Sequence, residues 1–529
     1  MMRDFDRTGR SPVIAENGMA ATSHPLATMT ALSILRDGGN AVDAAIAAAA
    51  TLAVVEPHMT GIGGDCFAII AEPDGSVHGL NGSGRAPKAA SAARYREMGH
   101  RQMPQSGALS VTVPGAIKAW ETLAARFGTR GLGVLLSDAI GYAEEGYAVH
   151  PRVARDWQGL VEGLAADAGG SRHYLAGGRS PKVFSRHRVP ALGRTLRAIA
   201  GKGASAFYEG AIAAEMAAVV RAGGGFLDEE DLAAVTADWV EPIGTRYRDY
   251  DVLEIPPNGQ GITALILLNL FAATGAGRLA ADSAERYHRM IECARAAYNV
   301  RDHLVADPAA MAVSPETLLS PQVTASLARN IDPGGRNPHL ELPPLPDSDT
   351  VYLTVVDRDR RAVSFINSLY AGFGARLVTP ESGIALQNRG ACFTLEEGHP
   401  NELGPGKRPM HTIIPAMVMK DGRAACSFGV MGGAYQPMGH AHVLSNMLDH
   451  QMDPQQALDH ARIFWGDSEV LGAESGIPGA VRGRLAELGH RVADAPNPHG
   501  GGQIVAIDHE SGFLIGGSDP RKDGLALGW

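Results

Sequence analysis

Residues 343–357 read PPLPDSDTVYLTVVD. A proline-rich stretch carries a short acidic patch and turns, without spacer, into a run of β-formers whose first residue is Thr350. A threonine hydroxyl is a weak nucleophile unless a base stands beside it. One way to supply that base is to make the threonine a chain terminus, so that its own α-amine takes the proton. An α-amine titrates at about 7.7–8.0, which leaves a useful fraction neutral near pH 7. The stretch therefore poses a choice. Asp349–Thr350 is either an ordinary loop-to-strand junction or a bond meant to be cut, and two letters alone do not decide it.

The surroundings narrow the choice. Residues 332–349, DPGGRNPHLELPPLPDSD, hold five prolines and two glycines and form the one long stretch without periodicity, as an irregular surface loop does. Beyond it come three hairpin patterns, TVYLTVVDRDRRAVSFINSL (350–369), AMVMKDGRAACSFGV (416–430) and QIVAIDHESGFLIGG (503–517), with helical segments near 437–450 and 454–463. Before it, SHPLATMTALSILRDGGN predicts a helix ending at Gly38–Gly39, and AAIAAAATLAVV (44–55) a buried core helix too short to span a bilayer. CFAIIAEPDGSVHGLNGSG reads as strand, Asp-Gly turn, strand. The region 115–330 is mostly helical, including DLAAVTADWVEPI (231–243) and SAERYHRMIECARAAYNVRDHL (283–304), with YDVLEIPP (250–257) as a strand. Blocks of strands and helices predict an α+β chain with sheets inside and helices outside.

Composition limits the function. The chain has 529 residues, 45% apolar and 20% charged, the balance of a folded globular protein. A net charge of −10 without a Lys/Arg run argues against nucleic acid or an anionic membrane as partner. Cys66, Cys293, Cys392 and Cys426 are scattered, which fits neither a zinc ribbon nor a disulfide framework. The charged opening MMRDFDRTGRSPVIAENG has no apolar core, so the expectation is no secretory signal and a cytoplasmic protein. TGIGGDCF (60–67) lacks a P-loop lysine and precedes a strand; it reads as a tight turn where backbones pack closely. His440, His442 and His450 lack neighbouring Cys or Asp at zinc spacing, so no metal and no cofactor are expected.

The segments 350–390, 404–422 (GPGKRPMHTIIPAMVMKDG) and 428–437 (FGVMGGAYQP) together resemble the small subunit of the γ-glutamyltransferase (glutathione hydrolase) family. Residues 21–67, VTVPGAIKAWE (111–121) and GGSDPRKDGLALGW (516–529) resemble that family in the same order along the chain. The resemblance implies an N-terminal-nucleophile hydrolase with a four-layer αββα sandwich. It also implies one precursor cut at Asp349–Thr350 into a large fragment 1–349 and a small fragment 350–529 that stay together as a heterodimer, with a dimer of heterodimers as the larger alternative. On this reading Thr350 is nucleophile and base, Ser368 stands where the family has a second threonine hydroxyl, and Gly432–Gly433 supply oxyanion-hole amides, which need no Cβ in the way.

The departures from the family pattern bear on substrate. In LQNRGACF (386–393) Cys392 stands where glutamyl-specific members hold the substrate ammonium with an Asp, and Arg389 replaces a polar residue next to Asn388. His411 and Thr412 replace paired serines, Tyr370 replaces an Asn, and in GSGRAP Ser83 takes the place of the family's arginine, with Arg85 two residues later. A buried ammonium without its carboxylate is unfavourable. The substrate implied is therefore a small anionic amide, and the pattern looks most like the oxamate amidohydrolase branch. The alternatives are a γ-glutamyl transferase or hydrolase, and a catalytically silent binding protein for a small carboxylate.

Overall fold

The computed structural model describes residues 9–340, 349–466 and 468–529. Pro343, Pro344, Pro346, Asp347 and the rest of the segment 341–348 lie outside the described residues, as do residues 1–8, the side chain of Asp349 and residue 467.

The hairpin that begins at the Asp349–Thr350 junction is the centre of the molecule. β10 (Asp349–Val356) and β11 (Ala362–Tyr370) pair antiparallel and every described residue of both is buried, which explains why they read as almost continuous β-branched and aromatic runs. They sit inside a seven-stranded sheet ordered β19-β2-β10-β11-β3-β4-β7, where β2 is Met19–Thr22, β3 Asp65–Ala71, β4 Val77–Gly82, β7 Asp238–Val240 and β19 Leu525–Gly528. A second seven-stranded sheet is ordered β1-β18-β17-β13-β12-β9-β8. Here β1 is Val13–Ala15, β8 Ile243–Tyr247, β9 Tyr250–Glu254, β12 Ala416–Lys420, β13 Arg423–Met431, β17 Gly501–Ile507 and β18 Leu514–Ser518. Two smaller sheets are peripheral: β5 (Tyr147–Ala148) with β6 (Arg186–His187), and β14 (Ile463–Trp465), β15 (Val470–Ala473) and β16 (Arg491–Asp494).

The two large sheets face each other through β10, β13 and β17. Thr354 Oγ1 donates to Ser427 Oγ across the gap at 2.7 Å, and a Cβ on Gly429 would lie 2.4 Å from the Tyr352 ring, so only glycine admits that tyrosine. Helices cover both outer faces. Helix α1 (Pro25–Arg36) and helix α2 (Ala41–Val55) lie on the β10 sheet. The helices Gly261–Thr274 and Gln436–His450 lie on the other, and Ala284–Leu304 packs on Gly261–Thr274. The layers run αββα, as the resemblance implied. All fifteen residues of α2 are buried, so its alanines let it sit in the core on every side. It starts at a capping box, Asn40 with Asp43.

One element differs from the periodicity. In 231–243 the helix Glu229–Ala233 stops early and Asp238–Val240 becomes edge strand β7 beside β4. The bonding demand of the β4 edge overrides a weak local helical preference. The chain crosses between sheets throughout. β2, β3, β4 and β7 come from before Thr350 and β10, β11 and β19 from after it, and the second sheet is mixed in the same way.

Candidate active site

The pairing of β10 with β11 slips at its start. Asp349 faces Tyr370 but Val351 faces Asn367, so Thr350 alone stands opposite Ser368 and Leu369. This is a β-bulge, which re-aims side chains that a regular ladder would alternate. The Thr350 hydroxyl donates to Ser368 Oγ at 3.3 Å. β2 meets β10 only at Thr354–Val356, so among the described residues no strand lies beside the first half of β10 on that edge.

Ser368 Oγ also accepts from the Tyr370 amide at 2.8 Å and from Arg389 Nη2 at 3.3 Å. Arg389 begins a short 3₁₀ turn, Arg389–Cys392, that packs so tightly on Ser110 that a Cβ at Gly390 would sit 2.8 Å from the Ser110 carbonyl. The arginine is wholly buried. Its Nη1 donates to Thr412 Oγ1 at 2.7 Å and reaches Cys392 Sγ at 3.8 Å, and the guanidinium lies 4.5 Å over the Tyr370 ring. Its Nε has no acceptor, and among the described residues no carboxylate lies within ion-pair distance. Burial, and then Cys392, push the Tyr370 phenol well above its ordinary range, with Arg389 opposing. Tyr370 is neutral, so among the described residues the arginine's charge meets dipoles and a π face.

Behind Thr412 stands a second buried layer that sequence reasoning missed. Asp65, at the start of β3 and opposite Ser368 in the ladder, accepts on Oδ1 from the amides of Gly84 (2.9 Å) and Gly115 (3.1 Å) and from Gln387 Nε2 (2.9 Å). Its Oδ2 lies 3.0 Å from His411 Nε2. His411 Nδ1 accepts the Ile413 amide at 3.3 Å, so the ring proton is on Nε2 and donates to Asp65. Burial, with Arg389 adding and Asp65 opposing, lowers the imidazole to about 3, and it is neutral. Gln260 Nε2 joins the same layer, donating to the carbonyls of Thr412 (2.6 Å) and Gly433 (2.9 Å). The signal for Asp65 was present: one acid inside the Gly-rich, otherwise apolar TGIGGDCFAII needs buried partners.

Gly432 and Gly433 follow β13 with φ of +118° and +52° and lead into the helix Gln436–His450, a strand–turn–helix corner where the left-handed backbone favours glycine. Gly432 also lines a cleft of about 950 Å³ that reaches Ala371 and Gly372, just past Tyr370. The TGIGG turn packs as its composition suggests, since a Cβ on Gly64 would lie 2.2 Å from the Ser368 carbonyl.

Other sequence candidates fall elsewhere. Asn388 is used on both ends, accepting the Ala371 amide (3.0 Å) and donating to the Gln105 carbonyl (2.7 Å), so it holds the loop after β11. Arg85 is half-exposed between Asp238 (3.8 Å) and Asp307 (4.0 Å), away from the Arg389 contacts, while Ser83 bonds Asn81 and Asn258. His440 bridges Glu254 (2.7 Å) and the Val430 amide (3.1 Å); His442 meets His460 at 3.1 Å. Among the described residues no group of three metal-ligating side chains comes together, and no helix is long and apolar enough to cross a membrane.

Comparisons with known proteins cover nearly the whole chain. The Gamma-glutamyltranspeptidase family model matches residues 27–529. The glutathione hydrolase-like YwrD proenzyme of Bacillus subtilis is 36% identical over 98% of this chain and 99% of its own. The oxamate amidohydrolase proenzyme of Klebsiella pneumoniae is 36% identical with the same coverages. Among solved structures, a cephalosporin acylase from Bacillus halodurans superposes with a TM-score of 0.92 at 40% identity, covering 100% of this chain and 99% of its own.

Proposed function

The chain belongs to the gamma-glutamyltranspeptidase family, and from that premise we propose that it is an autoprocessing amidohydrolase acting on a carboxylate-bearing acyl group, of which oxamate is the smallest example. Relatives named as proenzymes support the processing step. In the precursor Thr350 Oγ attacks the carbonyl carbon of Asp349 and the peptide nitrogen leaves as the α-amine of Thr350. Water then hydrolyses the ester. The products are a fragment 1–349 ending in a carboxylate and a fragment 350–529 with a free amine.

In turnover that amine takes the Thr350 hydroxyl proton as Oγ attacks the substrate carbonyl. The tetrahedral oxyanion is received by the Gly432 and Gly433 amides, and the proton goes to the departing amine. Water releases the acid from the resulting ester.

The observation that carries the substrate reading is Arg389. A wholly buried guanidinium, one hydroxyl away from Thr350 and with no carboxylate among the described residues, is a site for an anion. Leaving such a charge unpaired costs on the order of several kcal/mol, and a substrate carboxylate offsets it. A γ-glutamyl head group also needs an acid for its ammonium, and the position the family uses is Cys392.

Intact mass of the purified protein is expected to show fragments 1–349 and 350–529, and Thr350→Ala a single inactive chain. An uncut parent that still turns over would refute the mechanism. Assayed side by side, oxamate is expected to be hydrolysed faster than a γ-glutamyl anilide; the reverse order refutes the substrate assignment. Arg389→Ala is expected to raise KM for the anionic amide more than tenfold while cleavage proceeds. Equal loss of cleavage would make Arg389 structural.

A further inference from the structure

The acyl half of the substrate is accounted for by Arg389, but oxamate would leave the cleft at Gly432 with only ammonia to receive. That cleft, about 950 Å³, is far larger than ammonia requires, and its lining has a definite chemistry. Its floor is aromatic: Phe464 and Trp465 stack at 4.2 Å, and Tyr435 meets Phe464 edge-on at 5.0 Å.

The walls carry four cations and two carboxylates, and the pairing among them is uneven. Asp156 is taken up by Arg152 (2.7 Å), His58 (3.7 Å) and Lys522 (3.9 Å). Against the desolvation of burial, these neighbours hold its carboxyl below the usual range. Asp494 points to solvent and is bound by Arg482 at 2.5 Å, a residue outside the cleft. Arg155 and Arg376 remain. Both are exposed, and among the described residues neither has a carboxylate within 4 Å; Arg155 donates only to the Asn497 side-chain oxygen, at 3.1 Å. The Arg376 side chain runs over Gly163, where a Cβ would lie 2.3 Å from its Cδ and 2.9 Å from Nη1.

From this lining we propose that the cleft is a leaving-group subsite, and that the amine half of the preferred substrate carries a planar ring over Phe464 and Trp465 and a carboxylate received by Arg376 and Arg155. The inference rests on the amide-hydrolase reading above and deepens it. The reaction remains a hydrolysis: the C–N bond breaks, water supplies OH to the acyl carbon, and the amine leaves with one proton. The two anionic groups of the substrate would thus be bound at two separate places, one by the buried Arg389 and one by Arg376 and Arg155 at the cleft rim. A rim-exposed cation acts mainly on the anionic ligand's approach and is screened by salt, so the preference should be salt-dependent.

The test compares N-phenyl oxamate with its 3- and 4-carboxy derivatives on the matured enzyme. The better carboxylated isomer is expected to exceed the unsubstituted anilide at least tenfold in kcat/KM at low ionic strength. That ratio should fall below about threefold in Arg376→Ala with Arg155→Ala, and fall with added salt. Equal kcat/KM for the ring-carboxylated and unsubstituted anilides in the parent, or a ratio that survives the double substitution, overturns the subsite. Binding separates this from failure of the acyl-group reading. If none of the oxalyl amides is hydrolysed, calorimetry of 3- and 4-aminobenzoate against the parent still decides the cleft. Tighter binding of either than of aniline, lost in the double variant, supports it, and no such difference overturns it.

Discussion

Asp65 shows how much one side chain in this core controls. Its two oxygens accept four hydrogen bonds, from two amides, Gln387 and His411, and the His411 bond requires the proton on Nε2. An amide cannot replace it. Asn would turn an N–H either toward His411 Nε2–H or toward the Gly84 and Gly115 amides, and both meetings pair donor with donor. Asp65→Asn is therefore expected to lower stability by about 1–3 kcal/mol in denaturant unfolding, the cost of a buried donor left without an acceptor. By displacing Thr412 it should also raise KM for a carboxylate-bearing amide more than it lowers kcat. A loss of stability with KM unmoved would make Asp65 structural only. Asp65 was hard to read because its partners lie 19 to 346 positions away, in segments that share no local pattern. Thr350, Ser368 and Arg389 were readable because each sits in a short motif.

The element that matters most is the β10–β11 hairpin with its bulge. The turn at 60–64 presses against the bulged strand, and its glycines differ in what they permit. A Cβ on Gly64 would stand 2.2 Å from the Ser368 carbonyl, and one on Gly61 at an ordinary 3.5 Å from Leu369. Gly64→Ala must push β11 and move Ser368 from Thr350, so self-cleavage is expected to slow at least tenfold, followed by the disappearance of the precursor on a gel. Gly61→Ala should cleave at nearly the parent rate. Like rates for the two would mean that the bulge does not set the geometry of the cut. The hairpin itself was legible from two β-rich runs around a polar turn. The bulge was not, because register depends on what the partner strands bury, as the 231–243 segment also shows.

For the whole molecule, both sheets are built from residues on either side of position 350, and Asp65–His411, Gln260–Thr412 and Tyr298–Ala434 bonds cross the same divide. Cleavage at Asp349–Thr350 should therefore leave one particle. The fragments are expected to co-elute in size exclusion and to part only in denaturant, and separation in plain buffer would contradict this packing. Acid sensitivity follows from burial. His24, His411 and His490 are lowered to about 3 and His187 to about 4, chiefly by desolvation. The unfolded chain takes up these protons near pH 6.5 and the folded one does not. Stability is thus full above 6.5 and is lost as pH falls toward the folded values, by up to about 1.4 kcal/mol per imidazole for each pH unit. Glu56, raised by its own burial, opposes this in part. The melting temperature should drop between pH 7 and pH 5, and a flat profile would show that the imidazoles are not held neutral.

The sequence by itself determined the α+β layering, the hairpins, the family and the threonine at the loop-to-strand junction, because these depend on local periodicity and on residues adjacent along the chain. Only the tertiary structure decided the rest. It buried Arg389 with no carboxylate in ion-pair distance among the described residues, and set Asp65 behind His411. It placed Arg85 in a half-exposed ion pair and opened an aromatic, cationic cleft beside Gly432. Charge pairing and desolvation depend on distance in space, and the groups concerned are brought together by sheets that draw their strands from both ends of the chain.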